Sequence, residues 1–306
     1  MVRFGYCCIS LGINEGVRKA QQVSVNRGMV KRTFDSKGLP YASQLALSNL
    51  SDTLRVIDWN ISRGIMVYRF SSDSMPWMTH YRIEDLPDYP AIAMTLRSIG
   101  DRVLTSGMRV SFHPGPYCVL ASENPSVVDK TVDELDKHAH LMDMMGLPAT
   151  HMYPINIHIG STKPTRDIAA ARFCENFWRL GESCRARLTV ENDDAPGQYS
   201  VLMLRSMVHD RIKVPIVADT LHHACFPDGQ TWAEALFMAA STWTVRPVTH
   251  HSSSRKIHED PASRPEAHAD YLYEAFDHCG LEVDVELECK QKDLAALRYV
   301  SEFVRP

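Results

Sequence analysis

The chain has 306 residues, of which 44% are hydrophobic and 23% are charged, and its net charge is −4. This composition is that of an ordinary globular protein and excludes a disordered chain. The charge gives no overall basic signature, which argues against a protein that coats nucleic acid, although a local groove or bound cations can still attract phosphate. At this length the chain forms either two ordinary domains or one large barrel.

The eight cysteines do not predict a disulfide framework. Cys7 and Cys8 are adjacent in a strand-like run, the other six are scattered, and no Cys-x-x-Cys pair occurs. Zinc-ribbon and thioredoxin interpretations therefore have no support, and we expect reduced thiols. The N-terminus lacks the shape of a signal peptide, and no apolar run reaches the ~20 residues of a membrane span. We expect a cytoplasmic protein without a membrane partner.

Hydrophobic periodicity predicts alternating strands and helices along the whole chain. The first strand is predicted over 3–9, followed by a polar loop over 10–38 and a helix over 41–63 that ends at Gly64. The later strands are predicted over 65–70, 109–112, 155–157, 187–190, 214–218, 244–249 and 283–287. The later helices are predicted over 91–104, 125–145, 165–180, 199–208, 231–240, 265–278 and 294–304.

Eight strand–helix units without a low-complexity linker predict an α/β fold, a single (β/α)8 TIM barrel over 1–306. In such a barrel the carboxyl ends of the strands meet at one mouth, where ligands bind. The alternative is a pair of doubly wound domains. No Gly-x-Gly-x-x-Gly loop follows any predicted strand, which weakens that alternative.

Acids and histidines stand at or just beyond most of the predicted strand ends. The strand-end candidates are His113, His158, Glu191, Asp219, His222, His250 and Glu288, and His80 follows the second strand at a longer distance. We expect them to converge at the barrel mouth. A mixed set of imidazoles and carboxylates suits zinc, manganese or iron, but not calcium. The set is too large for one ion, and Glu191 is placed to bridge two ions.

A single histidine after a strand is usually an ordinary loop or surface residue. We keep that interpretation for the histidines away from the pattern, which are His138, His140, His151, His209, His258 and His278. His223 and His251 adjoin better candidates, so an outer position next to a ligand is the alternative for them. Clustered ions typically act on phosphate esters, although barrel sugar isomerases also hold two metals on acids and histidines.

Several short segments carry a more specific signal when they are taken as an ordered set. They are Phe4-Gly5-Tyr6, Tyr68-Arg69-Phe70-Ser71-Ser72-Asp73 with Pro76 and His80, Ser111-Phe112-His113-Pro114-Gly115, Val190-Glu191-Asn192-Asp193, Val217-Ala218-Asp219-Thr220-Leu221-His222-His223, Arg264-Pro265 with Ala267-His268-Ala269-Asp270, and Glu288-Cys289-Lys290. Together they resemble the ultraviolet-damage endonuclease family, a barrel relative of apurinic endonucleases and xylose isomerase-like enzymes.

The resemblance implies a DNA repair enzyme that nicks duplex DNA immediately 5′ of a photoproduct, by attack of a metal-activated hydroxide on the phosphodiester. It implies a cluster of two or three ions, with Mn²⁺ expected and Zn²⁺ or Mg²⁺ as alternatives. It also implies a monomer that takes damaged double-stranded DNA as its partner. The catalytic carboxylates would be Glu191, Asp219 and Glu288. The metal ligands by position would be His80, His113, His158, Glu191, Asp219, His222, His250 and Glu288, with His268 as an addition.

The same resemblance gives candidate contacts to the DNA and two departures from the family pattern. The candidate contacts are Tyr6, Arg69, Pro116, Tyr117, Lys290 and Lys292. The family follows His-Pro-Gly with a glutamine and an aromatic residue; here Pro116, which has no side-chain amide, precedes Tyr117. The family also has a lysine, able to take a carboxylate modification, two residues before the histidine matched by His250. That position is Val248 in this chain.

Three other functions remain open at this point. An apurinic endonuclease without photoproduct preference is favoured by Pro116. A sugar isomerase-like barrel enzyme is disfavoured by Tyr117, because that function needs no residue that wedges into a base stack. A metal-binding scaffold that recognises damage without cutting is favoured only by Val248, which can do neither acid–base nor ligand work.

Overall fold

The computed structural model describes residues 2–304 and contains eight short strands. They are β1 Arg3–Cys7, β2 Val67–Arg69, β3 Arg109–Ser111, β4 Ile155–Ile157, β5 Leu188–Glu191, β6 Ile216–Asp219, β7 Val248–His251 and β8 Asp284–Leu287. Each overlaps one of the eight predicted strands. The predicted single domain over 1–306 includes Met1, Arg305 and Pro306, which lie outside the described residues, and its bounds stay a prediction.

All strand pairs are parallel, in the order β3-β2-β1-β8-β7-β6-β5-β4. A bridge between Phe112 and Ile155 joins the two outer strands. It rests on hydrogen bonds from Phe112 N to Pro154 O (3.0 Å) and from Asn156 N to Phe112 O (2.9 Å). The predicted (β/α)8 barrel is therefore confirmed, and the alternative of two doubly wound domains is wrong.

The α-helices of the described chain pack around this barrel. They are α1 Lys31–Ser62, α2 Tyr89–Ser106, α3 Pro125–Met144, α4 Arg166–Phe177, α5 Glu182–Arg185, α6 Val201–Leu204, α7 Asp210–Ile212, α8 Thr220–Cys225, α9 Trp232–Ala240, α10 Arg255–His258 and α11 Lys292–Phe303, with a π-helical turn at Arg205–His209 between α6 and α7. None of the helices over residues 2–304 combines the length and the apolar character that a membrane crossing requires. All eight cysteines are free thiols.

The predicted polar loop over 10–38 is wrong in its last part, because α1 begins at Lys31. The helix is interrupted at Gly38, which has φ 59° and ψ −156°, and Pro40 follows two residues later. A residue with positive φ and a residue without a backbone N–H both break the helical hydrogen-bond pattern. Gly38 and Pro40 interrupt the helical pattern of the sequence, so the pattern does not predict the helical turns that precede Gly38.

The helix predicted over 265–278 is also wrong. The segment is irregular, and α10 is the helix that the described residues form between β7 and β8. Its backbone pairs with the loop after β7 instead of with itself: Ala269 N donates to Ser253 O (2.9 Å) and Arg255 N donates to Ala267 O (2.7 Å). Leu272 and Phe276 are buried at helical spacing, so their periodicity misled the prediction.

A buried histidine on α3 gives a pH-dependent contribution to stability. The ring of His138 packs edge-on against Phe112, with 4.8 Å between centroids, and burial lowers the pKa of His138 to about 4. In the unfolded chain the imidazole titrates near its ordinary value of 6.5. The stability due to neutral His138 is therefore present above pH 6.5 and is lost as the pH falls toward 4.

We expect the free energy of unfolding to fall by about 2 kcal/mol more in the wild type than in His138→Leu between pH 7 and pH 5. The measurement is chemical denaturation of both proteins at the two pH values. Titration of all other groups is common to both chains and cancels in the difference. An equal pH dependence of the two proteins would show that folding does not lower the pKa of His138.

Candidate metal centre

A buried carboxylate lies at the centre of the barrel mouth. Glu191 ends β5 and is 1% exposed. Its Oε1 lies 3.0 Å from His250 Nδ1 and 3.3 Å from His222 Nδ1. Its Oε2 lies 3.1 Å from His113 Nε2 and 3.7 Å from His158 Nε2. His113, His158 and His222 follow three different strands and His250 lies on a fourth, so closure of the barrel brings these imidazoles together around one acid.

Two of these rings have a polar neighbour on the side away from Glu191. His113 Nδ1 forms a hydrogen bond of 3.1 Å with Pro114 O, which leaves the lone pair on Nε2, facing Glu191. His158 Nδ1 lies 2.9 Å from Asp193 Oδ1, an ion-pair distance without hydrogen-bond geometry. His113 is therefore oriented to bind a cation on the side of the carboxylate.

The chemistry of this donor set fits divalent metal ions. Ligand atoms of His113, His158 and Glu191 lie within 4.8 Å of one another, as do those of Glu191, Asp219 and His222. Asp219 Oδ1 accepts a hydrogen bond from His222 N (2.7 Å), whereas its buried Oδ2 has no hydrogen-bond partner. A buried oxygen without a partner is unfavourable unless a cation or water satisfies it. Both groups share Glu191, so this carboxylate is central to a cluster that could hold a metal ion.

The opposite side of the mouth is formed around Glu288, just after β8. Its Oε1 lies 3.3 Å from His250 Nδ1, and its Oε2 lies 3.6 Å from His268 Nδ1. His268 reaches this position because the irregular segment pairs at residue 268 with Ser254. Here the carboxylate also accepts a hydrogen bond from the guanidinium of Arg69, at 2.5 Å.

Opposite charges set the protonation of this cluster. Burial by itself raises the pKa of Glu191, but the charges of His250 and His158 hold it well below its ordinary value. Burial lowers the pKa of His250, and the charge of Glu191 overrides this effect and raises it to about 10. A metal ion binds the neutral form of an imidazole, so an ion taken up here would displace protons and bind more tightly as the pH rises.

The sequence analysis missed a layer of polar side chains beneath the ligands. Asn156 Nδ2 donates to Glu191 Oε2 (2.6 Å) and Thr189 Oγ1 donates to Asn156 Oδ1 (2.9 Å). Likewise Ser111 Oγ donates to Glu286, whose side chain is buried. Each of these residues stands two positions before a ligand candidate on the same strand, and therefore on the same face. That spacing, in otherwise apolar strands, is the sequence signal that identifies them.

Comparison with known proteins decides the family. The model of the UV-endonuclease UvdE family matches residues 2–305. The chain belongs to the UV-endonuclease UvdE family. A UV DNA damage endonuclease of Bacillus pumilus (strain SAFR-032) is 33% identical over 312 residues, which cover 98% of this chain and 93% of the relative. One from Bacillus mycoides (strain KBAB4) is 33% identical over 270 residues, covering 84% and 81%.

Solved structures agree with this UvdE membership. The crystal structure of SacUVDE superposes with a TM-score of 0.83 at 27% identity, covering 98% of this chain and 97% of that one. A D-psicose 3-epimerase from Clostridium cellulolyticum H10 gives a TM-score of 0.53 at 12% identity, covering 78% and 79%. At that identity the epimerase shares the fold alone.

Two of the predicted UvdE site residues lie apart from the cluster. His80 is exposed, and its ring lies against Trp77 (5.0 Å between centroids) and Phe34 (5.8 Å). Its role as a ligand stays a prediction. Tyr6 is wholly buried and donates from its hydroxyl to Asn60 Oδ1 (2.8 Å), which supports a packing role for this tyrosine between β1 and α1.

Two clefts open on the cluster from either side of Arg69. The first, of about 520 Å³, is lined in part by His113, Pro116 and His158. Tyr117, with 87% of its surface exposed, follows Pro116 but lines a separate cleft together with Asp73, Trp77 and Glu134. The second cleft, of about 430 Å³, is lined by Cys7, Cys8, Arg69, Glu266, Ala267, His268, Glu288, Cys289, Lys290 and Lys292. Of the predicted DNA contacts, Pro116 lines the first cleft and Lys290 and Lys292 line the second, whereas Arg69 is buried between carboxylates. Their role as contacts stays a prediction.

We expect Mn²⁺ to stabilise the folded chain through this cluster. At an ion concentration of about 100 times its dissociation constant, the gain in unfolding free energy is about 2.7 kcal/mol. Glu191→Gln removes the central charge and should lose nearly all of this gain at the same ion concentration. The measurement is denaturation with and without Mn²⁺, each protein being compared with itself. His140→Gln, an exposed histidine paired with Glu84, is the control and should keep the full gain. Equal stabilisation of Glu191→Gln would contradict the assignment of Glu191 as a ligand.

Proposed function

We propose that this chain is a metal-dependent endonuclease of DNA repair that nicks duplex DNA immediately 5′ of ultraviolet photoproducts. Membership of the UvdE family supports a DNA repair endonuclease for ultraviolet damage. The observation that carries the metal-dependent part is the ionised, buried Glu191 between four imidazoles, beside an Asp219 oxygen without a partner. This donor set suits hydrolysis of a phosphodiester without a protein nucleophile.

The ions would be held by His113, His158, Glu191, Asp219 and His222, with His250 and Glu288 as further ligands on the other side of Glu191. Divalent ions there, Mn²⁺ in our proposal with Zn²⁺ or Mg²⁺ as alternatives, would activate water and neutralise charge on the phosphate. The chain's own task is to keep these donors fixed and in the right protonation state. Asn156 does this for Glu191 by donating to Oε2, and Asp193 Oδ1 faces His158 Nδ1 at an ion-pair distance of 2.9 Å. Donors fixed in advance need no reorganisation during the reaction.

We further propose that the two clefts divide the work on DNA. The cleft beside His113 takes the phosphodiester to be cut, and Lys290 and Lys292 beside the other cleft contact neighbouring phosphates. The exposed ring of Tyr117 then inserts into the base stack at the lesion. Insertion costs less where a photoproduct has already weakened pairing, which makes the wedge selective for damage. We propose that a monomer does this.

A second candidate is an apurinic endonuclease without photoproduct preference. Pro116 favours it, because a proline beside the cleft offers no amide to hold a displaced base. A sugar isomerase function has weaker support, since the likeness to sugar epimerases is at the level of the fold. An exposed tyrosine at the mouth also has no role in a small-sugar site. A scaffold that recognises damage without cutting is disfavoured, because it would have no use for the cluster of metal ligands around Glu191.

Strand incision of a labelled duplex with one cyclobutane pyrimidine dimer, in the presence of Mn²⁺, tests the proposal. We expect a nick directly 5′ of the dimer and none in an undamaged duplex. Asp219→Asn keeps the cap of α8 but replaces a ligand carboxylate. We expect it to lower incision by more than about 100-fold, above the range for outer partners of a metal. DNA affinity should be largely unchanged, because phosphate contacts supply most of it.

The control for this substitution is Asp210→Asn, a surface acid that pairs with Arg205. It should cut like the wild type. Cutting of an abasic duplex but not of the dimer would favour the apurinic alternative. DNA binding that discriminates the dimer without any incision would favour the scaffold.

The wedge can be tested separately from the metal centre. Stacking of an aromatic side chain on a base contributes about 1–3 kcal/mol, so Tyr117→Ala should lower kcat/KM on the dimer by about tenfold or more. Mn²⁺ affinity should not change, since the ring does not touch the ligands. Trp178→Ala, another exposed aromatic (63%), lies just after α4 and serves as the control. Unchanged kcat/KM in Tyr117→Ala would remove this residue from lesion recognition.

A further inference from the structure

A second buried carboxylate lies below the ligand layer and has not been given a role so far. Glu286 on β8 is 2% exposed. Its Oε2 lies 2.7 Å from Arg69 Nε and 3.3 Å from His250 Nε2. Its Oε1 accepts a hydrogen bond from Ser111 Oγ. Because protein donors already occupy both oxygens, Glu286 is placed to support the ligands and not to bind an ion itself.

The ring of His250 connects this carboxylate to the metal centre. Its Nδ1 faces Glu191 at 3.0 Å and Glu288 at 3.3 Å, and is the nitrogen available to an ion. Its Nε2 has two neighbours of opposite kind, the carboxylate of Glu286 at 3.3 Å and a guanidinium nitrogen of Arg69 at 2.9 Å. The same nitrogen of Arg69 lies 3.4 Å from Nδ1, so this guanidinium can donate to either nitrogen of a neutral ring. A lone pair on Nδ1 for an ion requires the ring hydrogen on Nε2, and Glu286 is the acceptor placed to receive it there.

Arg69 connects the same carboxylate to a second ligand. Its guanidinium donates to Glu286 through Nε and to Glu288 through Nη2 at 2.5 Å. If Glu286 did not share this charge, Arg69 would interact with Glu288 and His250 alone and compete with an ion for both. Glu286 therefore shares the charge of Arg69 with Glu288 and restrains the guanidinium between the two carboxylates.

The neighbouring strand shows why the carboxylate comes from β8. Val248 is buried on β7, two residues before His250 and on the same face. A valine cannot provide a charged group there. Glu286 is the residue of β8 that pairs in register with His250, so its side chain enters the barrel at the same level.

We infer that Glu286 is a positioning residue of the metal centre, which fixes the ion-binding form of His250 and restrains Arg69. This inference rests on the proposed function only in its premise that ions bind at the barrel mouth. Outer partners of metal ligands typically contribute 10- to 100-fold to metal affinity. Glu286→Gln should therefore weaken Mn²⁺ binding by about 10- to 100-fold. Ser111→Ala, which removes one hydrogen bond to Glu286, should weaken it less but in the same direction.

The experiment is a Mn²⁺ titration of the full chain followed by the electron paramagnetic resonance signal of free Mn²⁺. Asp284→Asn is the matched control, because Asp284 lies on the same strand and face but pairs with Arg3 and Arg109 at the other end of the barrel. It should lower thermal stability and leave Mn²⁺ affinity unchanged. Circular dichroism verifies that each variant is folded, and Ser111→Ala provides the result if Glu286→Gln does not fold.

The inference would be overturned if folded Glu286→Gln bound Mn²⁺ with an affinity within about twofold of the wild type. A change that small is far below the contribution of an outer partner of a metal ligand. An equal loss of affinity in Asp284→Asn would overturn it as well, since the effect would then be general to buried acids of β8. Incision by the wild type is measured on the same preparations. A chain that binds Mn²⁺ but leaves the dimer intact counts against the proposed function, whereas the affinity ratio alone decides on Glu286.

Discussion

The structure depends on keeping one negative charge buried at the mouth of the barrel. A carboxylate out of water is strongly unfavourable unless it is paired and hydrogen-bonded. Glu191 meets this condition through imidazoles from four strand ends and through the amide of Asn156. No two neighbouring elements of the chain can provide that many partners. Only a closed ring of parallel strands, each delivering its carboxyl end to the same mouth, brings them together.

The same requirement explains why the inside of this barrel is polar where most barrels are filled by Val, Ile and Leu. Along β8 and just beyond it, the interior positions are Asp284, Glu286 and Glu288. Asp284 forms ion pairs at the far end of the barrel, Glu286 in its middle and Glu288 at its mouth. The outward positions Val285 and Leu287 are wholly buried in the hydrophobic core. Hydrophobic stabilisation thus comes from the layer between strands and helices, which frees the interior to carry charge.

Sequence reasoning succeeded where local pattern and global fold agree. Apolar runs that end in acids or histidines predicted the strands and the convergence of residues such as His113, Glu191 and His250. It failed at 265–278, where Leu272 and Phe276 have helical spacing but the backbone pairs with the β7 loop. It also missed Glu286, since its partners Arg69 and Ser111 are 217 and 175 residues away in the chain. Contacts across a barrel interior join residues that are distant in the sequence. The local sequence therefore indicates them only through a charged residue within an apolar strand.

The two sides of the mouth differ in the charge that they offer to a substrate. The side of His158 and Asp219 has donors for cations and no fixed positive side chain among the residues that contact Glu191. The side of Glu288 has Arg69 against the carboxylate and Lys290 and Lys292 along the cleft. Under the proposed function, phosphates are attracted by permanent charges on one side and by ions on the other. Such an arrangement orients a DNA strand across the mouth before any base is read, because phosphate contacts fix position and direction.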